Sequence, residues 1–230
     1  MTRLLAPARP APADLAIRLA AKDRGWLERV KHGAPAVLPT SVWQTIASAY
    51  TTPGRHYHTL EHLAELADRY AEVQAGPGWQ DPGAVWLALL FHDVVYTVDP
   101  SQAPGENERR SAAMLLALVP GAFAAAELVR ATANHNELPP LEHADPHDLI
   151  HFLDADLSIL GASPTRFARY SRQVAAEYVP VVGRDLYEAG RGAFRQRMCE
   201  APTLFHSPWF RARYEAAARK NLGAAADKRR

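Results

Sequence analysis

Cysteine is nearly missing from this chain of 230 residues. Cys199 is the only one, which excludes an internal disulfide framework and fits a reducing compartment. A dominant charge is missing as well. Lysine plus arginine number 26 against 25 aspartates and glutamates, interleaved along the chain, so the net charge of +1 carries no electrostatic signal for nucleic acid. The basic end Lys228-Arg229-Arg230 reads as a solvated tail. No long hydrophobic run is present either: Ala84–Phe91 is apolar throughout but far shorter than the ~20 residues a membrane span needs. Met1-Thr2-Arg3-Leu4-Leu5-Ala6 turns proline-rich before an apolar core forms, so no secretion signal is predicted and the expected location is the cytoplasm. What is there is ordinary for a globular protein, 48% hydrophobic and 22% charged, in a chain long enough to bury a sizeable core.

Runs of β-branched residues are scarce, and helix punctuation is plentiful. Proline follows a capping residue at Asp81-Pro82, Asp145-Pro146, Ser163-Pro164 and Ser207-Pro208, the arrangement that starts a helix. Breaks fall at Gly76-Pro77-Gly78, Pro100 to Gly105, Pro139-Pro140 and Gly161. The spacing predicts helices over 15–31, 41–49, 60–74, 82–96, 106–118, 123–134, 146–160, 164–181, 186–199 and 208–222. No internal repeat and no long linker interrupts them. The expected architecture is all-α: a disordered Ala/Pro-rich leader over 1–13, one helical domain over 14–223 and a flexible basic tail over 224–230.

The most informative pair is His92-Asp93, which closes the apolar run ending at Phe91. An imidazole and a carboxylate carried into an interior need partners there, because burying an unpaired charge costs several kcal/mol. Together they make a ligand pair for a hard or borderline divalent ion. Candidate companions lie upstream, at His58 and His62, and downstream, at Asp154-Ala155-Asp156. On a helix, His58 and His62 at i and i+4 project from one face; the segment lacks the glutamate of a zinc-protease His-Glu-x-x-His. A helical wheel separates the two downstream carboxylates. Leu149, Phe152, Leu153, Ile159 and Leu160 cluster around Asp156, which points it into the core, whereas Asp154 falls opposite with His147 and His151 on a face expected to be solvated.

His58-Thr59-x-x-His62, His92-Asp93 and Ala155-Asp156-Leu157-Ser158 together resemble the His…His-Asp…Asp signature of the HD superfamily of metal-dependent phosphohydrolases. Tyr57-His58-Thr59-Leu60-Glu61-His62 is also similar to the Tyr-His-Asn-x-x-His motif of cyclic-nucleotide phosphodiesterases. The wider pattern resembles a bacterial branch of HD-type phosphohydrolases. It takes in Arg55-His56-Tyr57-His58, Phe91-His92-Asp93-Val94-Val95-Tyr96, Asn107-Glu108-x-x-Ser111-Ala112, Asp154 to Gly161 and Ala218-Arg219-Lys220-Asn221-Leu222, and runs from about Trp43 to Leu222. The resemblance implies a helical domain of HD/phosphodiesterase type, with His62, His92, Asp93 and Asp156 as metal ligands and His58 protonating the leaving oxygen. Thr59 replaces the motif's Asn, which alters any hydrogen bond that amide makes behind the ligands. Of histidines between His-Asp and the last Asp, His135 is the best-placed extra ligand, so one tightly held ion is expected rather than two.

Softer candidates complete the picture. Glu108 is placed to orient or deprotonate a metal-bound water, or to pair with Arg109 or Arg110 at the surface. His135 is a phosphate contact candidate, and Arg55, Arg172 and Arg191 are candidate clamps, because guanidinium matches phosphate bidentately. Tyr170, Tyr178 and Trp209 read as core residues. The expected function is hydrolysis of a small phosphate ester or nucleotide with a divalent cofactor (Mn, Mg, Co, Ni, Zn or Fe), with no nucleic-acid or membrane partner and room for a homo-oligomer. Two rivals are a nucleotide-sensing module that keeps the metal pocket without turnover, and a di-iron oxygenase on the same scaffold.

Overall fold

The computed structural model describes residues 19–227, with side chains through residue 224. The expected leader and the first residues of the expected helix over 15–31 lie outside the described residues, as do residues 228–230. Every regular element among the described residues is helical. In chain order these are α1 (Ala21–His32), α2 (Thr40–Tyr50), α3 (Leu60–Ala75), α4 (Pro82–Phe91), α5 (Glu106–Leu118), α6 (Phe123–Ala131), α7 (Pro146–Leu157), a 3-10 turn (Ser158–Gly161), α8 (Pro164–Val182) and α9 (Arg184–Glu200). The last helical run is Pro208–Phe210, a π-helical turn over Arg211–Glu215, and α10 (Ala216–Asp227). None of the described helices is long and apolar enough to cross a membrane.

The proline-preceding residues cap as their chemistry dictates. The Asp81 carboxylate accepts the Ala84 N–H, Asp145 accepts that of His147, Ser163 that of Arg166 and Ser207 that of Phe210. Two boundaries differ from expectation at the chain ends. Leu19 and Ala20 precede α1 rather than extending it, and α10 continues as helix to Asp227, through the start of the expected tail.

The helix α4 is apolar on every side, and Ala84, Val85, Trp86, Ala88, Leu89, Leu90 and Phe91 are all buried. Such a helix has no wet face and belongs in the middle. It packs against α3, α5, α6 and α7, and one buried cluster extends from Leu19 to Leu222 around it. The C-terminal end of α4 therefore delivers His92-Asp93 to the centre of the molecule, where α3 and α7 bring their own polar residues. Near the C-terminus, the Asn221 amide donates to the carbonyls of Leu160 and Ala162, each at 2.8 Å, and ties α10 to the turn after α7.

Candidate metal centre

The apolar pattern predicts that α4 runs on to Tyr96; it stops at Phe91 because the next backbone groups have tertiary partners. The Asp93 N–H donates to the buried Tyr50 hydroxyl at 3.2 Å, and the Val95 N–H to the Ser111 hydroxyl at 3.0 Å. Arg55 donates to the carbonyls of Asp93 (2.8 Å) and Val94 (3.1 Å) from one side. Groups that would have closed the next helical turn are thus drawn outward, and the Asp93 side chain swings back across His92. The His92 Nδ1–H donates to the Leu89 carbonyl at 2.9 Å, which orients the ring and leaves Nε2 facing inward.

Three chain segments converge there. His62 on α3 places Nε2 3.0 Å from His92 Nε2 and 3.8 Å from Asp93 Oδ2, while His92 Nε2 lies 3.0 Å from Asp93 Oδ2. Donor atoms of these residues all lie within 4.8 Å of one another. Asp156 on α7 joins through both histidines, with Oδ1 3.3 Å from His62 Nε2 and 3.7 Å from His92 Nε2. Two donors each about 2.1 Å from one ion stand roughly 3.0–3.4 Å apart at right or tetrahedral angles. The closest separations here match that spacing, the wider ones exceed it by a few tenths of an ångström, and the imidazole–carboxylate chemistry suits a borderline divalent cation. These buried His/Asp groups could hold a metal ion.

The electrostatics of the donors point the same way. Burial alone would lower the pKa of His92, but the Asp93 and Asp156 carboxylates reverse that and lift it to about 9. Burial would raise Asp93 and Asp156, yet the imidazoles around each hold both carboxyls below the usual carboxylate range. The spot is therefore built to attract positive charge, as protons or as an ion. His135 supports it from the turn after α6, with Nε2 2.7 Å from Asp156 Oδ2, while the His135 carbonyl accepts from His206 Nε2 at 2.7 Å.

His58 does not share a helical face with His62: α3 starts at Leu60 with Thr59 as its N-cap, so His58 sits in the preceding turn. It is oriented instead by the buried Glu177 of α8, whose Oε2 lies 2.7 Å from His58 Nδ1. Glu177 Oε1 also accepts the N–H groups of His56 (2.7 Å), Tyr57 (2.7 Å) and His58 (3.1 Å), and the Tyr96 hydroxyl donates to Oε2 at 3.0 Å. Against a downward push from burial, Asp93 and Glu177 raise the His58 pKa. The opposite ring nitrogen, Nε2, is 4.0 Å from Asp93 Oδ2 and lines the same cavity of about 250 Å³ as His92, Asp93 and Asp156.

Other expected residues divide. Glu108 lines this cavity, its carboxyl pushed up by burial and further by Asp93, whereas Arg109 pairs with Glu106. No arginine lines the cavity among the described residues. Arg55 donates through both terminal nitrogens to main-chain carbonyls, His58 O included at 3.2 Å, so it braces the site rather than clamping a phosphate. Arg172 is exposed in a separate pocket beside Lys22 and Arg169, and Arg191 lies in an adjoining aromatic chamber. Thr59 does not line the cavity; its hydroxyl approaches only the Tyr57 carbonyl, at 3.5 Å. Tyr170 is buried as expected of a core residue, but it and Tyr178 also wall the cavity.

The face expected to be solvated is buried at Asp154 and His151 and half-buried at His147. Asp154 is 1% exposed and its two oxygens accept the N–H groups of His206 and Ser207, each at 2.7 Å. His151 is also buried and donates to the His147 carbonyl, and His147 donates to the Gly78 carbonyl. The 202–210 segment covers this side of α7, which a wheel of α7 alone cannot show. Glu177 was not anticipated from sequence, although a signal exists: Phe167, Tyr170, Val174 and Glu177 form the buried stripe of α8, with a carboxylate where an apolar residue belongs. Set against protein-family models, curated proteins and solved structures, the chain finds no match in any of the three.

Proposed function

We propose that this chain is a metal-dependent phosphohydrolase acting on a small phosphate ester or nucleotide, built on an HD-type helical domain. The observation that carries the reading is the close group His62, His92 and Asp93, with Asp156 Oδ1 3.3 Å from His62 Nε2 and a carboxylate-backed histidine in the cavity that His92, Asp93 and Asp156 line. A divalent ion held by those donors supplies Lewis acidity toward a phosphoryl oxygen and a nucleophilic water at neutral pH. His92 and His62 present Nε2 lone pairs, and Asp93 and Asp156 present negative charge that offsets the ion's own. His58 keeps Nδ1–H on Glu177 and delivers its Nε2 proton to the leaving oxygen; the raised pKa keeps it protonated for that step. Glu108, across the cavity with an up-shifted carboxyl, accepts the proton released by the attacking water. With no guanidinium in the cavity, His58 is the protein's own cationic group beside the phosphoryl oxygens, and an ion held by the four donors would offset the rest of their charge.

The test is a panel of phosphate esters and nucleotides, assayed with Mn²⁺, Mg²⁺, Co²⁺, Ni²⁺ and Zn²⁺ added separately. At least one ester is hydrolysed, and His58→Asn lowers kcat by about 100- to 10,000-fold while the metal content stays unchanged. Failure to cleave any ester with any of these ions overturns the reading.

A further inference from the structure

Beside the metal cavity lies a second, larger chamber of about 470 Å³. One wall is the α8 stripe Tyr170, Val174, Tyr178 and Val182, and the other is α9, through Leu186, Tyr187, Gly190, Arg191 and Phe194. Tyr57, His58, Tyr170, Tyr178 and Phe194 line both spaces, so the chamber begins where the metal cavity ends, and His58 stands at the junction.

Its lining is chemically one-sided. No carboxylate, carboxamide or aliphatic hydroxyl takes part. Four tyrosines and a phenylalanine do, and the one guanidinium, Arg191, lies over two of their rings, 5.0 Å from the centroid of Tyr170 and 4.8 Å from that of Phe194. The polar atoms on offer are tyrosine hydroxyls, His58 and Arg191, set among rings and aliphatic side chains, and a base edge would find no amide to read it. An aromatic ring would meet edges and faces at ordinary stacking distance.

Gly190 sharpens this. It sits inside α9, where glycine is a poorer helix former than alanine, and a Cβ built on it meets nothing within 4 Å. Gly190 is exposed, so this open space lies at the solvent rim of the chamber, where a larger side chain has room to lie over its mouth.

From this geometry we infer that the chamber is the leaving-group subsite, and that the substrate is a phosphomonoester of an alcohol carrying an aromatic ring. The inference rests on the phosphohydrolase reading above. In the step it describes, the oxygen of water bonds to phosphorus, the bond from phosphorus to the alcohol oxygen breaks, and that oxygen takes the His58 proton. The products are inorganic phosphate and the aromatic alcohol, which is left in the chamber.

The experiment compares 2-naphthylmethyl phosphate with ethyl phosphate in the wild type and in Gly190→Phe, with Gly190→Ala and the melting temperature as controls for folding. Wild type is expected to favour the naphthyl ester in kcat/KM by about tenfold or more, from the area buried in the chamber. Gly190→Phe erases that preference, bringing the naphthyl-to-ethyl ratio of kcat/KM down to about one, because the larger group gains less from the crowded chamber. Equal kcat/KM for the two esters in wild type, or equal loss of both in Gly190→Phe, overturns the assignment. If neither ester is cleaved, the hydrolase reading has failed on its own, and 2-naphthylmethylphosphonate binding, followed by its fluorescence, tests the chamber separately. Saturable binding that Gly190→Phe abolishes and Gly190→Ala keeps supports an aromatic subsite; no binding, or binding unchanged by Gly190→Phe, contradicts it.

Discussion

The group at Glu127, Glu142 and His143 and the group at His62, His92 and Asp93 both mix histidine with carboxylates at the same spacing: in each, one donor atom per residue lies within 4.8 Å of the others. Their surroundings differ. Glu127 already accepts the N–H groups of Glu142, His143 and Ala144 at 2.9 to 3.1 Å and the His143 ring at 2.9 Å, and its two companions are exposed. That carboxylate is a clasp for the chain entering α7. In the buried group the close pairs run side chain to side chain, Nε2 to Nε2 at 3.0 Å and Nε2 to Oδ2 at 3.0 Å, with no backbone N–H among them. Proximity of acids and histidines is common to both, so proximity alone says little. What separates a clasp from a cation site is whether backbone donors have satisfied the acceptors first.

The sharpest way to break this contrast is to remove one side chain from each group. Asp93→Ala is expected to weaken divalent-metal binding by more than about 100-fold and to abolish turnover, whereas His143→Ala leaves metal stoichiometry untouched. Elemental analysis after dialysis reads both. Next in size is Glu177→Gln, which keeps an acceptor for the backbone N–H groups but drops the charge behind His58. Turnover falls by about 10- to 100-fold with metal content unchanged. Since Glu177 helps raise the His58 pKa, its loss lowers that pKa, and the alkaline limb of the kcat profile moves to lower pH.

A saturating divalent ion stabilises the wild type by about 2.7 kcal/mol at a hundred times its Kd, read as a rise in melting temperature that Asp93→Ala lacks. The smallest effect belongs to the clasp. Burial opposes ionisation of Glu127, but His143 and the three N–H groups prevail and bring its pKa to about 2. A carboxylate lowered on folding stabilises fully above its unfolded pKa and loses that contribution as pH falls through the folded value. Protection of the amides of residues 142–144 against hydrogen exchange should therefore fade between about pH 4.5 and pH 2, and Glu127→Gln should cost about 1 kcal/mol at neutral pH.

Local chemistry made much of the helical layout readable in advance. Caps at Asp81, Asp145, Ser163 and Ser207 start helices where side-chain oxygens meet N–H groups within three residues, and α5 has its expected bounds of Glu106–Leu118. Asp156 was legible because its neighbours on the wheel are apolar. Its neighbour Asp154 was misread, because the partners that bury it, His206 and Ser207, come from a segment more than fifty residues away. The end of α4 was misread for the same reason: Tyr50, Arg55 and Ser111 unmake the helix there from a distance. The His58–Glu177 pair joins a turn to α8, and the aromatic chamber joins α8 to α9; neither is a property of any one helix. Periodicity reports which face of a helix is apolar, and it cannot report what covers the other face.

One measurement bears on all of this directly: a crystal of the wild-type chain soaked in Mn²⁺, with an anomalous difference map. The expected result is a peak about 2.0–2.3 Å from His62 Nε2, His92 Nε2 and the carboxylates of Asp93 and Asp156. No peak there, or a peak only at Glu127 and His143, would contradict the account.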